Sequence, residues 1–242
     1  MTGEHDPAGP RPELERRLAE ASQAHAAPSR VELDALLGEV ERSVAEADRS
    51  WLFRARALAT WARRALAFAT TGTVIALGSA MGLRADLAGL PAAHLAIGVA
   101  AMAALLAASL YFALRPLHEP PLPRPMSAGL AAVSLAATAA LALLGPAGEA
   151  VNDESLAGHA SPCLAYGLLL GLPVYAVLRL LDRGSGLALV ASCAAGLTGH
   201  LVLTLHCPRT DVAHLMAGHF AVVLLFVVGL GALAALSARR AR

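Results

Sequence analysis

Cysteines and histidines are the side chains in this 242-residue chain that are best able to do chemistry. Cys163 and Cys207 lie at the edges of two apolar stretches, whereas Cys193 lies inside one. Five histidines lie near Cys163 or Cys207 in the sequence: His159, His200, His206, His214 and His219. Two nearby thiols can form a disulfide, and thiolates combined with imidazoles suit zinc or copper.

The spacing of these residues matches neither a zinc finger nor an HExxH helix, so several readings stay open. Cys163 and Cys207 can be disulfide-bonded, can be two free thiols, or can form half of a metal site. The residues expected to sense a redox or metal-like signal are Cys163, Cys207, His206, His214 and His219. Candidate metal ligands among them are His206, Cys207 and His214. Cys193 is expected to be a small packing residue.

Six charge-free apolar stretches position these residues, and each meets or approaches the length of a transmembrane helix. Hydrophobic residues make up 57% of the chain and charged residues 15%, which excludes an ordinary soluble domain and a disordered chain. The net charge of +1 argues against direct nucleic-acid binding. The predicted spans are Ala65–Leu83, Leu87–Leu114, Met126–Gly145, Cys163–Leu178 (beginning near Ala160), Gly184–Leu205 and Val212–Ala238.

Arginine placement predicts the orientation of these spans. With the N-terminus in the cytoplasm, eleven arginines flank the spans on the cytoplasmic side, and only Arg84 and Arg209 lie in external connections. Both termini are then cytoplasmic in a multi-pass inner-membrane protein. The external loops 83–87, 146–162 and 206–211 place Cys163 and Cys207 at the same depth in an oxidising compartment.

The N-terminal segment differs from the rest because residues 1–50 carry eleven acids and six arginines. We predict a cytoplasmic helical segment over 1–64, a six-helix transmembrane domain over 65–238 and a cytoplasmic tail over 239–242. Residues 1–50 suggest two short helices, and residues 51–64 suit the lipid headgroup layer. The second helix carries an apolar stripe with acidic flanks, which suits a soluble partner, although a merely solvated tail is the alternative. The candidate partner-binding residues are Leu33, Leu36, Leu37, Val40, Val44, Glu39 and Glu41.

Two segments resemble the NrsF-like family of six-span membrane anti-sigma factors: Pro162-Cys163-Leu164 through Arg179-Leu-Leu-Asp-Arg183, and Leu205-His206-Cys207-Pro208. In that family one external cysteine opens the fourth span and another closes the fifth, and Cys163 and Cys207 match those positions. After the second cysteine the family usually has a Phe and a Trp-Tyr pair, whereas this chain has His214 to Phe220. Another six-span anti-sigma type, a light-responsive carotenoid regulator, shares the architecture.

The resemblance implies an all-α membrane protein that sequesters an extracytoplasmic-function sigma factor through its cytoplasmic N-terminal segment. An external redox or metal-like stress signal would release the sigma factor. We therefore expect no enzymatic activity and no cofactor beyond a possible metal ion at the external Cys/His cluster. The alternatives are a small metal or solute transporter using His94 or His200, and a membrane enzyme with haem on His200, His214 or His219. No HExxH, GxSxG or nucleotide-binding loop is present in the sequence.

Overall fold

The computed structural model describes residues 16, 30–84, 92–116, 119–120, 122–144, 156–182, 188–231 and 233. All regular secondary structure in these ranges is helical, in agreement with the predicted all-α class. The chain divides into two compact units, Met1–Trp51 and Leu52–Arg242. The first of the two short helices expected before residue 50 lies outside the described residues, except for Arg16.

Eight helical segments follow one another along the described chain, and six of them are long helices of the second unit. The eight segments are α1 (Arg30–Arg49), α2 (Trp51–Ala57), α3 (Thr60–Ala80), α4 (Ala92–Ala113), α5 (Arg124–Leu144), α6 (Leu156–Leu181), α7 (Ala188–His206) and α8 (Val212–Leu230), and the six long helices are α3 to α8. Each apolar stretch of the sequence corresponds to one of α3 to α8. The fourth begins at Leu156, earlier than expected, because the residues before Cys163 continue the helix.

The helices α4 to α8 are long and apolar enough to cross a membrane, which gives five candidate spans among the described residues. This number differs from the predicted six because α3 falls short in apolar character. Arg63 and Arg64 lie in its first turns, and Thr70, Thr71 and Thr73 follow in its middle. Two guanidinium groups and three hydroxyls make α3 less apolar than the other long helices.

Helix α7 lies at the centre of the second unit and packs against α3, α4, α5, α6 and α8. Fifteen of its nineteen residues are buried, and most of them are small or aliphatic. Small residues allow backbones to approach closely, and a Cβ at Gly199 would collide with the carbonyl oxygen of Gly167 in α6. The pairing of α6 with α7 is therefore a backbone-to-backbone contact that glycine makes possible.

Three buried hydroxyl groups in α5 and α7 donate hydrogen bonds within their own helix. Ser134 donates to the carbonyl of Leu130 at 2.8 Å, and Ser192 donates to that of Ala188 at 2.8 Å. Thr198 donates to the carbonyl of Ala194 at 2.8 Å. Such bonds remove the cost of placing a polar side chain in an apolar interior.

One end of the bundle is held by an arginine cluster, which we define as Arg56, Arg63 and Arg64. Arg63 is 2% exposed and donates to the carbonyl of Leu181, at the end of α6, at 3.1 Å, and to that of Arg115, just after α4, at 3.3 Å. Arg64 donates to the carbonyl of Leu114 at 3.0 Å and Arg56 to that of Leu180 at 2.9 Å. The last carbonyls of a helix have no partner within it and lie at the negative end of its dipole, so guanidinium donors stabilise both helix ends.

Candidate metal and thiol site

At the other end of the bundle, four metal-ligating side chains from three segments meet. Cys163 comes from the second turn of α6, Cys207 directly follows α7, and His214 and His219 come from the start of α8. Their potential ligand atoms all lie within 4.8 Å of one another. Cys163 Sγ is 3.6 Å from Cys207 Sγ, and Cys207 Sγ is 3.3 Å from His214 Nε2. We call these four residues the thiol–imidazole cluster.

Backbone hydrogen bonds fix the position of Cys207 after the end of α7. Its own amide donates to the carbonyl of Leu203 at 2.8 Å, which continues the helical pattern by one residue. Arg84 binds the backbone before and after Cys207. Its amide donates to the carbonyl of Leu205 at 3.1 Å, and its guanidinium donates to that of Pro208 at 3.0 Å. Arg84 therefore holds the chain on both sides of Cys207.

Asp211 fixes the start of α8. Its carboxylate accepts a hydrogen bond from the amide of His214 at 2.8 Å, which is an N-cap interaction. An N-cap carboxylate satisfies one of the free amides at a helix start and interacts favourably with the positive end of the dipole. The backbone of His214 is therefore anchored where its ring meets Cys207.

A π-helical turn over Leu215–Phe220 brings the two histidines together. In an α-helix of 3.6 residues per turn, residues five positions apart are rotated by about 140° and point in different directions. A π-turn has i→i+5 hydrogen bonds and places such residues near one another on one side. The rings of His214 and His219 accordingly lie 5.4 Å apart, centroid to centroid.

Gly218 allows α8 to approach α6 beside the cluster. A Cβ at this position would lie 3.4 Å from Cys163 Cβ, 3.5 Å from the carbonyl oxygen of Ala160 and 3.6 Å from His214 Nε2. A methyl group just fits at these distances, whereas a branched side chain would push the two helices apart. Close contact between Cys163 and the histidines therefore depends on a small residue here.

The thiol–imidazole cluster is largely buried, with Cys207 4% exposed and His214 and His219 each 2% exposed. Among the described residues, His214 Nδ1 and His219 Nε2 have no hydrogen-bond partner. The thiol of Cys163 donates a hydrogen bond to the sulfur of Cys207 and, with further hydrogen bonds from His214 and His219, lowers the pKa of Cys207 below its ordinary value. The cluster can thus hold a thiolate, which is the form that ligates metals and attacks disulfides.

The structure brings together four of the five residues expected to sense a signal and leaves one outside. His206, also a candidate metal ligand, hydrogen-bonds through Nδ1 to the carbonyl of Gly82, and its ring lies 5.2 Å from that of Tyr166. His219, which was not among the candidate metal ligands, lies in the cluster instead. The missed signal is the five-residue spacing from His214 to His219, which points to a common site only if the helix is π-helical there.

The remaining histidines and Cys193 lie around the cluster or away from it. His200 is buried, and its ring lies 6.1 Å from that of His219. His159 Nε2 is 3.3 Å from a guanidinium nitrogen of Arg209. Cys193 is fully buried in α7 among Ala131, Val223 and Val227. The side chain of His94, a transporter candidate, lies outside the described residues.

In the first unit, α1 exposes the predicted apolar stripe. Leu33, Leu36, Leu37 and Val40 are 47%, 52%, 52% and 57% exposed, respectively. Glu39 and Glu41 are exposed beside them, and the side chain of Val44 lies outside the described residues. Exposed aliphatic side chains in one row on a helix give a surface that another protein can cover.

Among the described residues, a helical bundle with five helices long and apolar enough to cross a membrane is typical of an integral membrane protein of the helical class. The chain belongs to the NrsF family, described as negative regulator of sigma F, whose family model matches residues 47–240. This match confirms the resemblance seen in the sequence and identifies a regulatory protein that acts negatively on a sigma factor, its partner. No curated protein and no solved structure matches the chain.

Proposed function

We propose that this protein is a membrane-bound anti-sigma factor that holds an extracytoplasmic-function sigma factor through α1 and releases it after an external event at Cys163 and Cys207. The observation that carries this proposal is the exposed apolar stripe of α1, in a chain of the NrsF family. The family match begins at residue 47, so the assignment of α1 as the docking element is our own inference.

The proposal includes a sixth span, α3, in a protein of the bacterial inner membrane with both termini in the cytoplasm. Near its start, Arg63 contacts the carbonyls that end α6 and follow α4. Near its end, the carbonyl of Gly78 accepts a hydrogen bond from Tyr166, in the first half of α6. Helix α3 therefore runs alongside α6 over the same distance, which supports a span of equal depth despite its lower apolar content. The arginine cluster then faces the cytoplasm, as the distribution of arginines favours.

The surface of α1 suits a protein partner with a basic rim and an apolar groove. Burial of one large aliphatic side chain contributes roughly 1.5–3 kcal/mol, so four of them can supply substantial binding free energy. Residues 1–50 carry five more acids than arginines, which disfavours nucleic acid and favours a basic protein surface. Binding of α1 would deny the covered sigma surface to RNA polymerase.

Two external events can change the thiol–imidazole cluster. A two-electron oxidant such as a peroxide or a quinone would take two electrons from the thiols of Cys163 and Cys207, which lose two protons and form one S–S bond. A thiophilic metal ion would instead bind their sulfurs. Either event shifts the protein toward release only by binding or stabilising one conformation better than the other, and a tenfold shift needs about 1.4 kcal/mol.

Binding of sigma factors to the full-length protein in lipid nanodiscs tests the docking element. We expect one of the extracytoplasmic-function sigma factors of the host to bind, and the double substitution Leu36→Glu and Leu37→Glu to weaken binding by at least about tenfold, because two charges would enter an apolar interface. The matched control is Ala35→Glu, which adds a charge to an exposed position on the opposite side of the same helix.

Two results would contradict the proposal. If no sigma factor binds the full chain, the anti-sigma function of this protein is wrong. If a sigma factor binds equally well to the doubly substituted protein and to the control, the partner docks elsewhere and the role of α1 is wrong.

A further inference from the structure

We propose that Cys163, Cys207, His214 and His219 form a four-coordinate site for one thiophilic divalent cation, of which zinc is the representative ion. The site joins α6, the connection after α7 and the start of α8. This inference deepens the proposed signal site, and it depends on the proposed function only for what the metal would regulate.

The measured distances suit tetrahedral coordination. Zinc binds sulfur at about 2.3 Å and imidazole nitrogen at about 2.0–2.1 Å, so two ligand atoms at tetrahedral angles lie about 3.3–3.8 Å apart. Cys163 Sγ and Cys207 Sγ are 3.6 Å apart, and Cys207 Sγ and His214 Nε2 are 3.3 Å apart. All four ligand atoms lie within 4.8 Å of one another, which is close enough for all four residues to approach one ion.

Burial and charge also favour a bound cation. Two thiolates and one divalent cation have no net charge, so the loaded site suits an apolar interior better than isolated ions would. The rings of His214 and His219 are almost fully buried, and each has a nitrogen without a hydrogen-bond partner among the described residues. His214 directs Nε2 toward Cys207 Sγ at 3.3 Å, so a cation between them would take that nitrogen.

Metal binding and disulfide formation would constrain different parts of the protein. A disulfide links Cys163 to Cys207 and therefore joins α6 only to the end of α7. The metal also binds His214 and His219 and therefore holds the start of α8. On the proposed function, binding of the ion would fix the start of α8 against α6, and oxidation would exclude the ion because it consumes both thiolates.

Titration of the reduced, full-length protein in detergent with Co²⁺, followed by Zn²⁺ displacement, tests the site. We expect one ion per chain, tetrahedral ligand-field absorption and a thiolate-to-cobalt charge-transfer band. Cys163→Ser, Cys207→Ser, His214→Gln and His219→Gln should each weaken Zn²⁺ binding by at least about tenfold, since each removes one ligand. Cys193→Ser and His206→Gln are the matched controls, because these residues lie outside the cluster.

Alkylation of the unsubstituted protein gives a second measurement that does not depend on whether a variant folds. Zn²⁺ should slow alkylation of Cys163 and Cys207 at least about tenfold and leave Cys193 unchanged, as mass spectrometry can measure. Octahedral cobalt spectra, undiminished affinity in the histidine variants or absence of protection would each overturn the proposal. No sigma factor is present in these assays, so their failure is distinguishable from failure of the proposed function.

Discussion

At the end of the bundle where α4 and α6 finish, a buried and a half-buried arginine hydrogen-bond to backbone carbonyls. Arg63 and Arg64 donate to Leu181, Arg115 and Leu114 in this way. At the opposite end, where α6 and α8 begin, the thiols and imidazoles contact one another. Cys207 lies between Cys163 and His214, and ring nitrogens of His214 and His219 lack partners among the described residues.

The difference separates polar groups that stabilise the fold from polar groups that are available to a ligand. Helix ends present free carbonyls in any sequence, and an arginine satisfies them permanently because its guanidinium cannot be deprotonated in proteins. Thiols and imidazoles change their protonation, oxidation and coordination under ordinary conditions. The arginine cluster is therefore a fixed structural element, whereas the thiol–imidazole cluster can change state.

The largest effect is expected at the arginine cluster. Arg63→Ala should lower the free energy of unfolding by roughly 3–5 kcal/mol, because it removes several charge-assisted hydrogen bonds and leaves buried carbonyls without donors. Chemical denaturation of the purified protein in detergent measures this loss. Arg54→Ala is the control, since Arg54 is exposed in α2. Equal stability of both variants would show that the arginine cluster does not stabilise the helix ends.

A smaller effect is expected from Arg84, an arginine that binds backbone at the thiol end. Arg84→Ala should cost roughly 1.5–3 kcal/mol of stability through loss of the bond to Pro208. It should also weaken Zn²⁺ binding, because Arg84 positions the chain around Cys207. Denaturation and Zn²⁺ competition report the two effects separately. Reduced stability with unchanged affinity would mean that Arg84 stabilises the bundle without positioning Cys207.

Crowding between α6 and α8 should affect the ligand site more than the fold. Gly218→Val should weaken Zn²⁺ binding about tenfold, or about 1.4 kcal/mol, because the added methyl groups move α8 away from Cys163. Gly229→Val is the control in the same helix, since a Cβ there meets nothing within 4 Å. Equal Zn²⁺ affinities in the two variants would show that the cluster tolerates separation of the helices.

The smallest effect is expected from a single neutral hydrogen bond at the thiol end. Tyr166→Phe removes the bond from the Tyr166 hydroxyl to the carbonyl of Gly78, 3.0 Å long, and should cost about 0.5–1.5 kcal/mol. Denaturation measures the loss, and Zn²⁺ affinity should stay unchanged. A change in affinity would show that the contact between α3 and α6 also shapes the thiol–imidazole cluster.

Much of the fold was predictable from the sequence because transmembrane helices are specified locally. Charge-free stretches of about 20 residues locate both ends of α5 and α7, the end of α4 and the start of α8 within a few residues. The count of five candidate spans depends on α3, where Arg63 and Arg64 lower the apolar content. Their contacts with α4 and α6 come from residues far away in the sequence, so no local pattern predicts them.

The candidate site was predictable only in part. Cys163 and Cys207 could be paired because one opens the fourth predicted span and the other follows the fifth, which places both on the same predicted side of the membrane. The sequence could not predict that His219, and not His206, lies with His214 among the possible metal ligands, because α-helical periodicity does not align His214 with His219. The π-turn that aligns them and the contact of His206 with Gly82 both depend on how α7, α8 and the end of α3 pack.

The sequence by itself determined the helical membrane class, the family and the position of the two cysteines, because hydropathy and short motifs depend only on residues that are close together in the sequence. Only the tertiary structure decided which imidazoles join the cysteines and which arginines close the helix ends. Both sets of contacts require side chains from separate helices to approach within about 4 Å, the range of hydrogen bonds and of neighbouring ligands around one metal ion. The backbone contact of Gly167 with Gly199 and the space left by Gly218 set that geometry.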